Sequence, residues 1–233
     1  MFFHQHPYEP FIPQNATKLI VGTLPPPRFS MNNLLEGDID FCYGSRNGQL
    51  WKIIDRIFEL HLKYETTDEA IKQRKDFLIA NNIGICDIVE SCKREKIDAS
   101  DLGMQDIKLR DLITYIRKHT KVDTLLFTGG NSKNGPEYFF RKHLRKLDLK
   151  LDVISNDVPR VHQFNLCHSE CSEESQSRII RTVSLTAPSG AANRAIGSMA
   201  LYKSIKDKDP NFTTFDFRVL QYRNFFIKKP ITR

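Results

Sequence analysis

Two periods of hydrophobic and polar positions alternate along this chain, and the changes between them predict its elements. Residues 18–23, "KLIVGT", form a continuous apolar run closed by glycine and then by Pro25, Pro26 and Pro27. Such a run is a buried strand that proline prevents from continuing. From Leu50 the apolar positions 50, 53, 54, 57 and 58 keep helical spacing, and "TTDEAIKQRKDFLIANN" adds a second helix with Thr67 or Asp68 as its cap. A second strand follows at residues 83–89, "IGICDIV", then a polar loop, "ESCKREKIDASDLG", and a helix over about residues 105–119. "VDTLLFTGG" is a third strand, and "PEYFFRKHLRKL" a helix opened by Pro136 in its first turn. Residues 178–190, "RIIRTVSLTAPSG", carry a fourth strand into the helix "AANRAIGSMALYKSIK".

Alternating strands and helices imply a parallel sheet covered on both faces through right-handed crossovers. The expected fold is therefore α/β, a three-layer α/β/α sandwich around a central, mostly parallel four-stranded sheet. Residues 1–233 are expected to form a single domain with an insertion at 166–178 and an aromatic, basic extension at 210–233. The extension's aromatics, Phe212 to Phe226, are expected to pack onto the domain. Between the helix opened by Pro136 and the fourth strand, "LDVISNDVPRVHQFN" leaves room for another short strand. "LCHSECSEESQSR" is small, polar and aperiodic, and is an inserted loop. Its Cys167, His168 and Cys171 make one compact cluster without a partner pair at metal-ligand spacing, so no metal is expected.

Composition adds the sign of a partner. Thirty-five Lys and Arg against 28 Asp and Glu leave a net charge of +7, which favours an anionic partner without identifying it. Five cysteines without paired C-x-x-C spacing argue against a disulfide framework, and a reducing, cytoplasmic setting is expected. No apolar run approaches the ~18 residues of a membrane span, and no basic leader precedes the chain's first strand.

In open parallel sheets ligands bind beyond the carboxyl ends of the strands. Four loops should meet there: "GTLPPPRFS" with "DFCYGSRNGQLWKII", Asp87 with "ESCKRE", "TGGNSKNG", and "TAPSGAANR". Neither small-residue loop has the G-x-G-x-x-G or P-loop spacing, and Ser189 is not in G-x-S-x-G, so dinucleotide, P-loop and hydrolase-triad chemistries are disfavoured. A turn such as "PSGAAN" before a helix instead suits a phosphate oxygen received by backbone amides.

These segments resemble the uracil-DNA glycosylase superfamily. "GTLPP" at residues 22–26 is similar to its first motif, G-x-x-P after strand one, and "APSGAAN" at 187–193 to its second, which ends in Pro-Ser. Phe41 and Tyr43 resemble the aromatic that stacks on an extruded base. The stretch 40–54 also resembles the hypoxanthine-DNA and mismatch-specific branches, in which an aromatic, a small turn and an asparagine lead into a helix beginning near tryptophan. Leu24 stands where the first motif often carries a water-positioning Asp or Asn, and Ala187 where the second commonly begins with His or Asn.

The resemblance implies a monofunctional, cofactor-free DNA glycosylase of base excision repair, monomeric and associated with the nucleoid, that removes a uracil- or hypoxanthine-type base from a flipped-out nucleotide. The alternatives are a catalytically weak or inactive relative that binds DNA or a partner through the same cleft, and an enzyme of free nucleosides. Asn47 is the expected counterpart of the water-holding asparagine, one residue from Gly48, which an ungapped count back from Trp51 selects. Asp87, an acid within an apolar run, is the second catalytic candidate, with Asp38 and Asp40 as further carboxylates. Base binding falls to Phe41, Tyr43, Gly22 and Thr23, and stacking on an aromatic there contributes about 1–3 kcal/mol. Phosphate binding falls to Pro188, Ser189, Gly190, Arg46 and Arg194, with Arg28, Lys93, Arg94 and Lys133 expected at the same sheet end.

Overall fold

The computed structural model of the chain describes residues 1–98, 100–166 and 177–227. Its first half runs β1 (Phe2–Gln5), β2 (Lys18–Gly22), α1 (Pro27–Ser30), α2 (Leu50–Phe58), α3 (Asp68–Ala80), β3 (Ile83–Asp87), β4 (Val89–Arg94), β5 (Met104–Leu109) and α4 (Leu112–Lys118). The second half runs β6 (Thr124–Phe127), α5 (Pro136–Lys146), β7 (Asp152–Ser155), β8 (Arg160–Leu166), β9 (Arg178–Ser184), α6 (Asn193–Gly197), α7 (Ala200–Lys208) and α8 (Thr214–Phe226).

The four strands expected from the sequence, β2, β3, β6 and β9, are the parallel strands of the larger sheet. That sheet is nevertheless mixed and six-stranded, in the order β3-β2-β6-β9-β8-β7, which corrects the expectation of four strands. The added pair comes from "LDVISNDVPRVHQFN", which holds two strands rather than one. β8 runs antiparallel to β9 from Arg160 opposite Ser184 to Leu166 opposite Arg178. β7 lies at the sheet edge with most of its residues exposed, so no buried apolar run announces it. Residues 167–176, including Cys167, His168 and Cys171, lie outside the described residues.

A second correction concerns residues 89–109. The expected polar loop and helix start are instead an antiparallel sheet in the order β1-β4-β5. Its strands are short and polar on one face, so the continuous apolar signal of a strand buried on both faces is absent. The helix begins only at Leu112, where Asp111 caps it by accepting the Thr114 N–H at 3.1 Å.

Alternation along β2 divides the core between the two faces of the large sheet. Ile20, with Leu126 and Val183, packs against Trp51 and Ile54 of α2, Phe77 of α3 and Tyr222 of α8. Leu19 and Val21, with Leu125 and Phe127, pack against Ile113 of α4 and Phe140 and Leu144 of α5. The chain is thus α/β, with helices on both faces of the sheet. Helix α8 is closed by a capping box between Thr213 and Asp216 and buries Phe217, Tyr222 and Phe226, so the aromatic tail packs onto the domain as its composition suggested. Among the described residues no helix is long and apolar enough to cross a membrane.

Candidate functional site

Beyond the carboxyl ends of β2, β3, β6 and β9 lie two adjoining cavities of about 300 and 430 Å³. Thr23, Asp101, Thr128, Ala187 and Ser189 form walls common to both. Leu24, Tyr43, Asn47 and Asp87 complete the smaller one, while Arg160 and Ser184 face the larger.

The turn that carries Tyr43 and Asn47 is built around one buried anion. Asp38 accepts Arg28 Nε at 2.7 Å, Arg28 Nη2 at 2.8 Å, and the backbone N–H groups of Arg46 and Leu35 at 2.8 and 2.9 Å. Burial alone would raise its pKa, but these donors hold it down at about 2. A Cβ on Gly44 would fall 1.8 Å from the Ile39 carbonyl oxygen, so the turn closes only with glycine there. Tyr43 beside it takes a left-handed backbone, φ 58°. Trp51 then locks the turn to α2, its Nε1–H donating to the Cys42 carbonyl at 2.8 Å.

Gly22, at the end of β2, is the floor on which the polar groups sit. A Cβ there would lie 2.0 Å from the Tyr43 hydroxyl and 2.4 Å from Asp87 Oδ1. The Tyr43 hydroxyl shares a hydrogen bond with Thr128 Oγ1 at 2.8 Å. Burial first, and then the Asp87 charge, push that phenol well above its ordinary pKa, so it remains a neutral donor or acceptor. Asp87 Oδ2 is 2.9 Å from His6 Nε2. Because His6 Nδ1 accepts the Tyr8 N–H at 3.1 Å, Nε2 is the nitrogen that donates to Asp87.

Of the residues expected at this site, Thr23, Tyr43, Asn47, Asp87, Pro188 and Ser189 line the smaller cavity, and Gly22 underlies it. Asn47 is exposed at the mouth, its N–H directed to Ser45 Oγ at 3.3 Å. Phe41 is not with them: it is core, 5.9 Å from the Phe11 ring and 6.2 Å from that of Trp51. Gly190 and Arg194 are exposed and line neither cavity. Arg46 is exposed with its guanidinium on the Glu36 carbonyl. Asp38 and Asp40 are also spent elsewhere, the latter accepting the Tyr8 hydroxyl at 2.7 Å.

None of the expected cations lines either cavity, although exposed Lys133 lies between Ser132 and Gly135 of the larger one's wall. Arg28 is paired with Asp38, Lys93 with Asp106 on the small sheet, and Arg94 is buried with His4 at 2.9 Å. Arg160, which opens β8, is the cation that faces the larger cavity, with Nη2 2.7 Å from Glu137 Oε2.

Three further groups escaped the sequence. Buried Arg218 of α8 donates to the carbonyls of Ala187 and Ser189 at 2.9 and 2.7 Å and to Asn193 Oδ1 at 2.9 Å, which fixes the shape of the 187–193 turn. His6 reaches Asp87 from the segment after β1. Asp101, in a 3-10 turn between β4 and β5, accepts the Thr23 hydroxyl through Oδ2 at 3.2 Å. Burial, only partly offset by Thr23 and Arg94, pushes its carboxyl up to about 6. No local pattern distinguishes these three residues, since each meets its partner through the tertiary fold.

Compared with family models, with curated proteins and with solved structures, the chain matches none. Among the described residues no group of three or more His, Cys, Asp or Glu side chains is placed to hold a metal ion.

Proposed function

We propose that this cleft is the active site of a DNA glycosylase that hydrolyses the N-glycosidic bond of a flipped-out uracil- or hypoxanthine-type base, on a three-layer domain of the uracil-DNA glycosylase type. The observation that supports it is the convergence of Tyr43, Asn47 and Ser189, from two distant segments, on one cavity of about 300 Å³ at the carboxyl ends of parallel strands. An extruded base needs a stacking face, polar partners for its edge and a fixed backbone. The Tyr43 ring supplies the first, the Tyr43 and Thr128 hydroxyls and Thr23 the second. The Ser189 turn, held from behind by Arg218, supplies the third.

In the reaction a water oxygen bonds to the sugar C1′ while the C1′–N bond breaks and its electron pair leaves with the base. The Asn47 amide oxygen orients that water; an amide is too weak a base to take its proton. Stabilisation of charge on the sugar and base therefore carries much of the rate. Leu24 and Ala187 line the cavity without a polar group, and they favour a second reading, a binding module that lacks turnover.

Single- and double-stranded oligonucleotides containing uracil, hypoxanthine or a G·T mismatch, treated with alkali after incubation, separate these readings. Abasic product that disappears in Asn47→Ala and persists in Asp87→Ala fits the assignment. Tight binding with no product from any substrate fits the binding module.

A further inference from the structure

We infer that Asp101 is a catalytic residue of this cleft, its carboxylate facing the sugar of the extruded nucleotide and taking the proton of the attacking water. The inference rests on the glycosylase reading. It starts from position: Asp101 belongs to the wall shared by the two cavities, so it faces the space where they meet. The first-motif position Leu24 brings no carboxylate to that cavity, and Asp101 enters it from a different element, the connection between β4 and β5.

The turn is held on both sides of the carboxylate. Asn134 Nδ2 donates to the Asp101 carbonyl at 2.8 Å, and buried Arg94 donates to the Ser100 carbonyl at 2.6 Å. Thr23 occupies Oδ2, and among the described residues Oδ1 has no hydrogen-bond donor. Asp87, by contrast, is closed off, with Oδ2 on His6 and Oδ1 packed over Gly22. The charged groups acting on Asp101 are Arg94, which lowers its pKa, and Asp87, which raises it; burial outweighs both and leaves it at about 6. A carboxylate with that value is mostly ionised at neutral pH and more basic than a solvated one, which suits proton acceptance. In the step, the water oxygen joins C1′, the base leaves with the bonding pair, and the water proton passes to Asp101 Oδ1.

The test uses the full chain with two duplexes, one carrying a cationic pyrrolidine analogue of an abasic nucleotide, the other its neutral tetrahydrofuran counterpart. Wild type should prefer the cation by about tenfold, and Asp101→Asn should lose that preference. Equal affinities in wild type, or a preference retained in the variant, overturn the inference whether or not any base is excised. With a substrate that wild type cleaves, single-turnover excision should fall about 100- to 10,000-fold in Asp101→Asn. The acid limb of the pH profile should disappear, and Asp101→Glu should recover part of the rate. Excision at the wild-type rate in Asp101→Asn overturns the role and leaves the glycosylase reading intact. If wild type excises none of the bases, that reading falls, and the analogue preference alone decides for or against Asp101 as the carboxylate facing a cationic sugar.

Discussion

Glu137, fully buried, and Asp101, half-buried, are two carboxylates at the same end of the sheet, and their surroundings drive them in opposite directions. Glu137, in the first turn of α5, receives Arg141 Nε at 2.8 Å and both Arg160 Nη2 and Ser184 Oγ at 2.7 Å. Burial would raise its pKa, but the Ser184, Arg160 and Arg141 bonds together leave it lowered. Asp101 has one hydroxyl donor, a guanidinium at longer range and a second carboxylate nearby, and burial wins. The fully bonded acid is committed to the fold. The underbonded one keeps basicity that a bound substrate can use.

The largest expected effect comes from breaking the committed acid. Glu137→Ala leaves Arg160 and Arg141 without their carboxylate and Ser184 without its acceptor; because both guanidiniums are partly exposed, the loss should fall below the roughly 3–5 kcal/mol of a fully buried pair, at about 2–4 kcal/mol. Urea denaturation at neutral pH should show that loss, with Glu137→Gln intermediate because its amide still accepts from Ser184. A loss below about 1 kcal/mol, the range of exposed ion pairs, would mean that Arg160 and Arg141 find water instead, and the contrast with Asp101 would fail.

A smaller effect tests how the cleft groups are held. Tyr43 and Asp87 rest on the bare Cα of Gly22, so Gly22→Ala must displace both the Tyr43 hydroxyl and Asp87 Oδ1. Overpacking of this kind costs about 1–3 kcal/mol. On the proposed glycosylase reading, excision and DNA binding should both fall, because the ring assigned to stacking moves with its Thr128 hydrogen bond. Full activity in Gly22→Ala would mean that the reaction does not depend on the present position of Tyr43, against its assignment to the base.

The parts of this arrangement that were legible share a physical cause. β2, β3 and β6 are buried on both faces, so they appear as apolar runs, whereas β9 alternates over residues 178–181 and is buried on both faces only from Thr182 to Ser184. Their loops converge because parallel strands end on one side, and that convergence places Tyr43, Asn47 and Ser189 at one cavity. β1, β4, β5 and β7 are short, polar on one side or at an edge, and left no such run. The groups that hold or face the cleft from elsewhere meet across the fold: His6 and Asp87 are 81 residues apart, Thr23 and Asp101 78, and Ser189 and Arg218 29. Phe41 and Tyr43 flank the turn alike in sequence, and the fold separates them: Phe41 is core, while Tyr43, in a left-handed backbone conformation, lines the cavity.

The smallest effect concerns the sign of the Asp101 contribution to stability. Its folded pKa of about 6 lies above that of an unfolded aspartate, about 3.9, so the folded chain keeps a proton that the unfolded chain releases between those values. Stability from this group is therefore complete below about pH 4 and declines as pH rises to about 6, after which the cost persists. Glu137 runs the other way: its lowered pKa gives stability that is present above the unfolded value of about 4.3 and is lost as pH falls through the folded one. Asp101→Asn keeps an acceptor for Thr23 and removes the buried charge. The variant should be more stable than wild type by on the order of 1 kcal/mol at pH 8 and nearly equal to it at pH 4. Urea denaturation at the two pH values measures the difference. A variant less stable at pH 8 would make Asp101 a structural acid like Glu137, whereas a stabilised variant that has lost excision is what a carboxylate kept for chemistry at the expense of the fold requires.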